Sequence, residues 1–148
     1  MRTISKLLIA SAIALATFAT PPVVAKADSQ EAVCLAKNIY FEARGESLAG
    51  KLAVAKVTLN RTKHEDFPDS VCKVVYQPGQ FSWTAKRRQQ IMDSRAWQES
   101  LEIARDALRT GLTELQGFRA IYFHSGRKPP GWRGRLVAKI GNHRFYNA

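Results

Sequence analysis

The sequence predicts an α+β domain in which helices come first and a small sheet comes last. Apolar residues recur at helical spacing in stretches between residues 28 and 110, whereas the chain after residue 117 is rich in strand formers and glycine. Helices and strands that are segregated along the chain are typical of α+β proteins, because alternating elements would instead build a parallel sheet. About 120 residues follow the first 27, which is enough for one hydrophobic core.

The first two predicted helices meet at a glycine. Residues 28–31 can cap a helix that runs to about Ala43, where Gly45 breaks it. Ser47 can cap the second helix, whose apolar face repeats at helical spacing: Leu48, Leu52, Ala55 and Leu59. This pattern predicts a buried central helix.

A short segment and a third helix complete the helical part. Pro68 and the Pro78-Gly79 pair mark loops on either side of residues 69–76. The third helix is expected from about Ser94 to Thr110, because apolar residues share one face and Gly111 supplies the stop.

The strands are predicted in the last 31 residues of the 148-residue chain. Strand formers run from Phe118 to His124, residues 125–131 must form a loop, and Arg135 to Ile140 is expected to be a second strand. Gly141-Asn142 is typical of a two-residue turn, which returns the chain through residues 143–146. The sequence therefore predicts a C-terminal hairpin or three-stranded sheet.

The N-terminus resembles a secretory signal peptide. Arg2 and Lys6 precede an uncharged, mostly apolar run at residues 7–18, and Ala25-Lys26-Ala27 provides small residues at a cleavage site. We therefore expect residues 1–27 to be a leader and residues 28–148 to be a single domain, periplasmic or secreted. The alternative is an uncleaved anchor, although two prolines make the segment a poor bilayer helix.

The charge is strongly basic. The chain carries a formal net charge of +11, and removal of three leader cations leaves +8, since residues 1–27 contain no acid. This excess points to an anionic partner, such as peptide carboxylates of the wall, acidic wall polymers or lipid head groups. A nucleic acid is an alternative, because residues 86–88 and 127–128 are basic and Trp83 and Trp132 could stack on bases. The charge alone does not decide between these partners.

Cys34 and Cys72 are the two cysteines of the chain. An even number of cysteines in an exported protein favours a disulfide, which here would contribute about 3–4 kcal/mol on the chain-entropy model. Two buried free thiols are the alternative. The three histidines, His64, His124 and His143, are scattered and form no short ligand spacing, so no metal site is expected.

Glu42 is the main candidate for acid–base chemistry. It lies in an otherwise apolar run, residues 39–43, where loss of hydration would raise the carboxyl pKa and keep a proton on it near neutral pH. A general acid needs a proton held in this way. The alternative is an ordinary carboxylate at a helix end.

Glu46 follows four residues later, and its role depends on where the helix ends. A helix that continued through Gly45 would stack Glu42 and Glu46 on one face, and each would raise the pKa of the other. We expect the helix to end near Arg44, so that Glu46 swings away and serves the next helix or pairs with Arg44 or Arg61. Glu46 is nevertheless a possible second carboxylate of a catalytic pair, for which three other acids are candidates: Glu65, Asp66 and Asp69.

Aromatic and amide groups near Glu42 in the fold would suit a carbohydrate ligand. We expect a binding groove lined by four consecutive residues: Gln80, Phe81, Ser82 and Trp83. Core packing of Phe81 and Trp83 is the alternative.

Tyr122 and His124 alternate on a predicted strand and would point to the same side, so both are predicted to face the cleft. Three further polar residues are expected to be structural: Asn60, His143 and Tyr146.

Four segments together resemble the SleB-type cell-wall hydrolases. The most specific is residues 34–61, in which Glu42 is followed by Ala-Arg-Gly-Glu and then by Ala-Val-Ala and Leu-Asn-Arg. The others are residues 69–76, the Gln-Phe-Ser-Trp segment at 80–83 and the closing Ile140 to Tyr146. The resemblance covers nearly the whole chain after the leader.

This resemblance implies a lysozyme-like fold and cleavage of peptidoglycan glycan strands by a lytic transglycosylase mechanism. It also implies that Glu42 is the catalytic acid, and we expect no metal or other cofactor. One carboxyl suffices for such a reaction, because the 6-hydroxyl of the sugar itself attacks the anomeric carbon. A hydrolytic muramidase that uses water and a non-catalytic envelope-binding module are the alternatives, and no nucleic acid is expected as partner.

Overall fold

The structure is a computed structural model that describes residues 28–126 and 134–148. The predicted leader at residues 1–27, residues 127–131 of the predicted loop, and Trp132 and Arg133 after it lie outside the described residues. In chain order the elements are α1 (Gln30–Ala43), α2 (Leu48–Arg61), α3 (Val71–Val75), a 3₁₀ turn (Ser82–Ala85), α4 (Ser94–Thr110), a second 3₁₀ turn (Thr113–Leu115), β1 (Tyr122–Ser125), β2 (Arg135–Ile140) and β3 (His143–Asn147).

The helix ends are set by local caps. Ser29, Ser47 and Asp93 each accept a hydrogen bond from the backbone N–H three residues on, at 3.2, 3.3 and 2.9 Å. Gly111 ends α4 in the left-handed conformation with φ of 66°, which glycine adopts without strain. The three long helices therefore begin and end where the sequence predicts.

Helices α1 and α2 form the centre of the domain. Helix α1 packs against the other three helices, and α2 contacts those helices as well as the sheet. The Asn38 amide of α1 donates to the Thr58 hydroxyl of α2 at 3.1 Å, and both side chains are fully buried. This bond fixes the register of the two helices, because a buried polar group is costly without its partner.

A disulfide and a carboxylate hold α3 against α1. Cys34 and Cys72 are bonded, with an S–S distance of 2.06 Å. The Glu31 carboxylate accepts the backbone N–H of Val71 at 2.6 Å, which caps the first turn of α3. The predicted disulfide is confirmed.

The sheet has three antiparallel strands in the order β1-β3-β2, so the last strand is the central one. Gly141-Asn142 forms the turn between β2 and β3, as predicted, and Ile140 is paired with His143 across it. The α+β prediction is confirmed, with a three-stranded sheet. None of the helices in residues 28–126 and 134–148 has the length and apolar character needed to cross a bilayer.

Strand β1 is shorter than predicted. It begins at Tyr122 rather than at Phe118, because the carbonyls before it serve α2 instead of a neighbouring strand. The Asn60 side-chain amide donates to the carbonyls of Phe118 and Ala120, at 2.7 and 3.0 Å. Asn60 therefore has a structural contact, in line with its expected role.

Candidate active site

A cleft of about 370 Å³ lies where the end of α1, the loop before the first 3₁₀ turn and the sheet meet. Its wall combines one carboxyl, several polar groups and two phenyl rings. The described lining residues are Glu42, Arg61, Gly79, Gln80, Phe81, Ser82, Phe123, His124, Ser125 and His143.

Glu42 lies in the last turn of α1 and is half-buried. Burial raises the pKa of its carboxyl above the ordinary 4.5, and the nearby Arg61 cation opposes this rise. No described residue forms a hydrogen bond or an ion pair with the Glu42 carboxyl. The group therefore keeps its proton to a higher pH than an exposed glutamate, and Arg61 is the nearby cation that favours its ionised form.

Arg61 ends α2 and places a fixed cation beside Glu42. It is 4% exposed, and its Nε donates to the Ile121 carbonyl at 2.7 Å. Its guanidinium lies over the rings of Phe67 and Phe81, at 5.0 and 5.4 Å from their centroids. Burial lowers the pKa of Arg61 to about 10, so the group remains charged at neutral pH. Its Nη1 is buried with no hydrogen-bond partner among the described residues.

His143 also lines the cleft, although the sequence led us to expect a structural role. It is the first residue of β3, is 5% exposed and packs edge-on against Phe123 at 5.2 Å. Burial lowers the pKa of the imidazole, His124 lowers it further, and Glu46 opposes both effects. The ring is therefore neutral at pH 7 and supplies a polar but uncharged group.

Arg61 and His143 were not predicted to line the cleft. Their only signals were a basic residue at the end of an apolar helix and a histidine after a predicted turn. Neither signal indicates which element will lie opposite, so the two side chains could not be assigned to the cleft.

Four of the six residues predicted to bind substrate line the cleft: Gln80, Phe81, Ser82 and His124. Phe81 is buried beneath Arg61, whereas Ser82 is exposed and Gln80 is half-buried. The His124 ring stacks on Tyr146 and bonds to its hydroxyl at 3.2 Å, which holds the ring in place. Their role in binding stays a prediction.

Trp83 is not among the described residues that line this cleft, which corrects the prediction for it. It is 4% exposed and stacks on Phe41 with ring centroids 4.7 Å apart, so it packs in the core. The chain enters a 3₁₀ turn at Ser82, and the tight winding directs neighbouring side chains apart. Trp83 therefore packs in the core, which was the alternative interpretation of this residue.

Tyr122 is likewise absent from the described lining and packs near Phe67 and Arg61 instead. The lining takes three consecutive residues from the end of β1: Phe123, His124 and Ser125. Whether a residue of this short strand reaches the cleft therefore depends on how close it lies to the end of the strand, and not on the face of the sheet to which it belongs. The prediction from alternation therefore holds for His124 and not for Tyr122.

Glu46 lies outside the described lining and fastens the β2–β3 turn to the α1–α2 corner. Its carboxylate accepts the backbone N–H of Asn142 at 3.2 Å and the side-chain amide of Asn142 at 2.9 Å. These bonds lower the pKa of Glu46, although burial opposes them. Glu46 therefore makes a structural contact, and its hydrogen-bond partner is Asn142 rather than Arg44 or Arg61.

Gly141 is required beside Glu46 for two reasons. Its φ of +55° lies in the left-handed region, and an added Cβ would come within 1.9 Å of the Glu46 Oε2 atom. Any other residue at this position would be strained at this φ, and the Glu46 carboxylate would have to move. Since His143 follows two residues later, this contact also positions one wall of the cleft.

The other three acids proposed for a catalytic pair are Glu65, Asp66 and Asp69, and none is among the described lining residues. Asp69 forms an ion pair with Lys73 at 3.0 Å on the surface. Nowhere in the described parts do three His, Cys, Asp or Glu side chains gather as metal ligands would.

The fold and the cleft belong to a known class of protein. Residues 45–146 match the Cell Wall Hydrolase family, and since this is more than half of the chain, the protein is a member of that family. Glu42 lies three residues before the matched range. The predicted resemblance is thereby confirmed at the level of the family.

Individual relatives are spore cortex-lytic enzymes. The chain is 34% identical over 135 residues to the enzyme of Oceanobacillus iheyensis, covering 87% of this chain and 46% of the relative. It is 32% identical over 118 residues to that of Bacillus subtilis strain 168, covering 75% and 35%. The chain thus spans less than half the length of these relatives.

Two solved structures share the fold. The catalytic domain of the Bacillus cereus SleB protein matches with a TM-score of 0.63 and 26% identity, over 84% of this chain and 95% of that domain. The catalytic domain of the germination-specific lytic transglycosylase SleB from Bacillus anthracis matches with a TM-score of 0.65 and 27% identity, over 84% and 100%. The chain therefore covers nearly all of each of these two solved catalytic domains.

Proposed function

We propose that this protein cleaves the glycan strands of peptidoglycan as a lytic transglycosylase, with Glu42 as both acid and base. The observation that carries the proposal is a half-buried carboxyl with a raised pKa that opens into a cleft of about 370 Å³. Membership of the Cell Wall Hydrolase family and the activity named for the Bacillus anthracis SleB domain support it.

The reaction needs one carboxyl that acts twice. Protonated Glu42 gives its proton to the glycosidic oxygen as the bond to the anomeric carbon breaks and positive charge develops on the sugar. The 6-hydroxyl of the same sugar then attacks that carbon, and the ionised Glu42 takes the hydroxyl proton. The product is a 1,6-anhydro sugar, and Glu42 ends protonated as it began.

Arg61 and Glu42 form a suitable pair for this cycle. Burial favours the protonated carboxyl at the start, whereas the Arg61 cation stabilises the carboxylate that forms during bond cleavage. Because Arg61 is held by the Ile121 carbonyl and by aromatic rings, its charge stays in place throughout. The two opposing influences on the pKa allow Glu42 to serve as acid and then as base.

The presence of a single carboxyl group in the described lining of the cleft favours transglycosylation over hydrolysis. Of the described residues that line it, Glu42 is the single Asp or Glu, whereas glycosidases that use water generally place a second carboxylate across the bond. An intramolecular hydroxyl needs no such group to generate the nucleophile. Hydrolysis by water at the same site is the alternative outcome of the test below.

The remaining lining suits a sugar ring. Gln80, Ser82 and His124 offer hydrogen-bonding groups, and the Phe81 and Phe123 rings offer flat apolar surface. We assign these residues to substrate binding. The neutral His143 adds a polar group that leaves the charge of the cleft unchanged.

The proposed place of action is the cell envelope, outside the cytoplasm. The leader predicted at residues 1–27 supports export, and the excess of positive charge suits an anionic wall.

The test is incubation of the purified protein with isolated sacculi, followed by mass spectrometry of the soluble fragments. Fragments lighter by one water than hydrolysis products are expected, because each carries an anhydro end. Full-mass reducing ends would instead indicate a muramidase. Protein that pellets with intact sacculi and releases no fragments would indicate an envelope-binding module and overturn the proposal.

A further inference from the structure

A second cleft, of about 430 Å³, lies beside the end of α2, and Glu42 is not among its described lining residues. Arg61 lines the first cleft, whereas its neighbours Asn60 and Lys63 line the second, so the end of α2 borders both. The described residues that line the second cleft are Lys56, Asn60, Lys63, His64, Gln116, Arg119 and Ile121. None of these residues takes part in the reaction described above.

The walls of the second cleft are fastened to each other. Lys56 is 6% exposed, and its ammonium donates to the carbonyls of Gly111 and Leu112 at 2.7 and 3.2 Å. Asn60 binds the carbonyls of Phe118 and Ala120, so α2 holds both ends of the segment at residues 111–120 that carries Gln116 and Arg119. The backbone that carries these side chains is therefore held in place before any ligand binds, which reduces the entropy lost on binding.

The second cleft is cationic. Lys56, Lys63 and Arg119 contribute three positive charges, and no Asp or Glu is among the described lining. Elsewhere in the described parts ion pairs are common, but none of them uses Lys63 or Arg119. Glu114 attracts Lys56 without lining the cleft, and Asp66 lies 3.7 Å from the His64 ring. A concave surface of one sign focuses its field and attracts counter-charges.

Lys56 also has donor capacity to spare. An ammonium carries three N–H groups, and two of them are used by the carbonyls of Gly111 and Leu112. The third, together with the exposed Lys63 and Arg119 and the amide of Gln116, can bind an oxygen anion. By comparison, the cleft around Arg95 is lined by Glu99 and Glu102 as well, so acidic groups outnumber the one cation there.

We propose that this second cleft binds the carboxylates of peptidoglycan peptide stems while the glycan strand lies at Glu42. The assignment rests on the proposed function, because that substrate carries the peptides. An α-helix is about 10 Å across, and an extended peptide of four residues reaches about 14 Å. A stem attached to the bound glycan, or to a neighbouring strand, can thus pass the end of α2 and place its carboxylate between Lys63 and Arg119.

The direct test is binding of a synthetic stem tetrapeptide with free carboxyl groups, followed by NMR chemical shifts of the protein. The fully amidated tetrapeptide and inorganic phosphate serve as comparison ligands. We expect the acidic peptide to shift residues around Lys63 and Arg119 and to bind at least tenfold more tightly than its amide. Equal binding of both peptides, or of phosphate as tightly as the acidic peptide, would overturn the assignment to stem carboxylates.

A charge-matched pair of variants locates the site. Lys63→Gln/Arg119→Gln should weaken binding of the acidic peptide at least tenfold. Lys86→Gln/Arg87→Gln removes the same charge from exposed positions outside both clefts and should bind like the unaltered protein. Equal weakening in both variants would mean that the effect is general electrostatics and would contradict a site.

A kinetic comparison links the second cleft to cleavage. Unaltered protein should prefer stem-bearing glycan over peptide-free glycan, and Lys63→Gln/Arg119→Gln should reduce that preference about tenfold, mainly through KM. An unchanged preference would overturn the proposal. If the unaltered protein cleaves neither substrate, the proposed function fails, and the peptide titration still decides on the second cleft by itself.

Discussion

Glu42 and Glu46 are four residues apart, yet the fold gives the two carboxyls opposite chemical properties. Burial at the end of α1 raises the pKa of Glu42, whereas bonds from Asn142 lower the pKa of Glu46. The difference arises because α1 ends at Ala43 and the chain turns before Glu46. In a continuous helix the two carboxyls would share one face. The turn separates them, so that one lies in the cleft and the other makes a structural contact.

Replacement of each of the two glutamates by glutamine should change the activity to very different extents. Glu42→Gln should lower kcat on sacculi by at least about 10³-fold, because the amide cannot transfer a proton although its shape and size are retained. Glu46→Gln should retain activity within about tenfold, since Glu46 only positions the hairpin. Release of soluble fragments under identical conditions measures both. Full activity in Glu42→Gln would show that the acid is another residue.

The next effect probes the contact between Glu46 and the hairpin turn. Gly141→Ala should destabilise the protein by about 2–3 kcal/mol, because alanine is strained at φ of +55° and its Cβ meets the Glu46 carboxylate. Urea denaturation measures the change. Gly45→Ala is the matched control at the same corner, because its added Cβ would meet nothing within 4 Å and its φ lies outside the left-handed region.

A double variant divides the cost of Gly141→Ala into its two causes. In a Glu46→Ala background the steric contact disappears, so Gly141→Ala should cost less than in the unaltered protein. An equal cost in both backgrounds would mean that the backbone strain alone matters and that Glu46 does not restrict position 141.

Local signals were sufficient to predict the elements that position the two glutamates. Ser47 caps α2, Gly111 ends α4, and Gly141-Asn142 turns the chain, and each acts within a few residues. The disulfide could be predicted because the chain has only two cysteines. The family resemblance rested on such contiguous segments, and it was confirmed.

What could not be predicted depends on contacts between distant segments. Arg61 reaches the cleft because Ile121 and the ring of Phe81 fix its guanidinium, and Glu46 bonds to a residue 96 positions away. Trp83 was assigned to the cleft from its chemistry, but a stacking partner in α1 draws it into the core. Residue type indicates what a side chain can do, whereas its neighbours in space decide what it faces.

Removal of the Arg61 cation tests how this group affects the pKa of Glu42. Replacement by glutamine removes a nearby cation, so the pKa of Glu42 should rise further. The carboxyl carbon of Glu42, followed by NMR through a pH titration, measures the change. Arg61→Lys keeps the charge and should shift the pKa less. A pKa that is unchanged in Arg61→Gln would contradict the electrostatic coupling of the two groups.

The two glutamates should also make the stability of the protein depend on pH in opposite directions, although both contributions are small. The raised pKa of Glu42 means that the folded state binds the proton more tightly than the unfolded chain. Stability from this group is therefore present below its ordinary pKa of 4.5 and is lost as pH rises through the folded value. Glu46 has the opposite sign, since its lowered pKa stabilises the fold above 4.5 and this contribution is lost as pH falls through the folded value.

Thermal unfolding at pH 7 and at pH 3.5 tests this sign in matched variants. Relative to the unaltered protein, Glu42→Gln should gain stability at pH 7, because the cost of ionising a half-buried carboxyl is removed, and the gain should fade at pH 3.5. Glu46→Gln should lose stability at pH 7 and lose less at pH 3.5, because this pH lies below the ordinary 4.5 and part of the contribution from Glu46 has already been lost there. Glu65→Gln, an exposed carboxyl, is the control. If both variants changed in the same direction with pH, the fold would not distinguish the two carboxyls as the structure indicates.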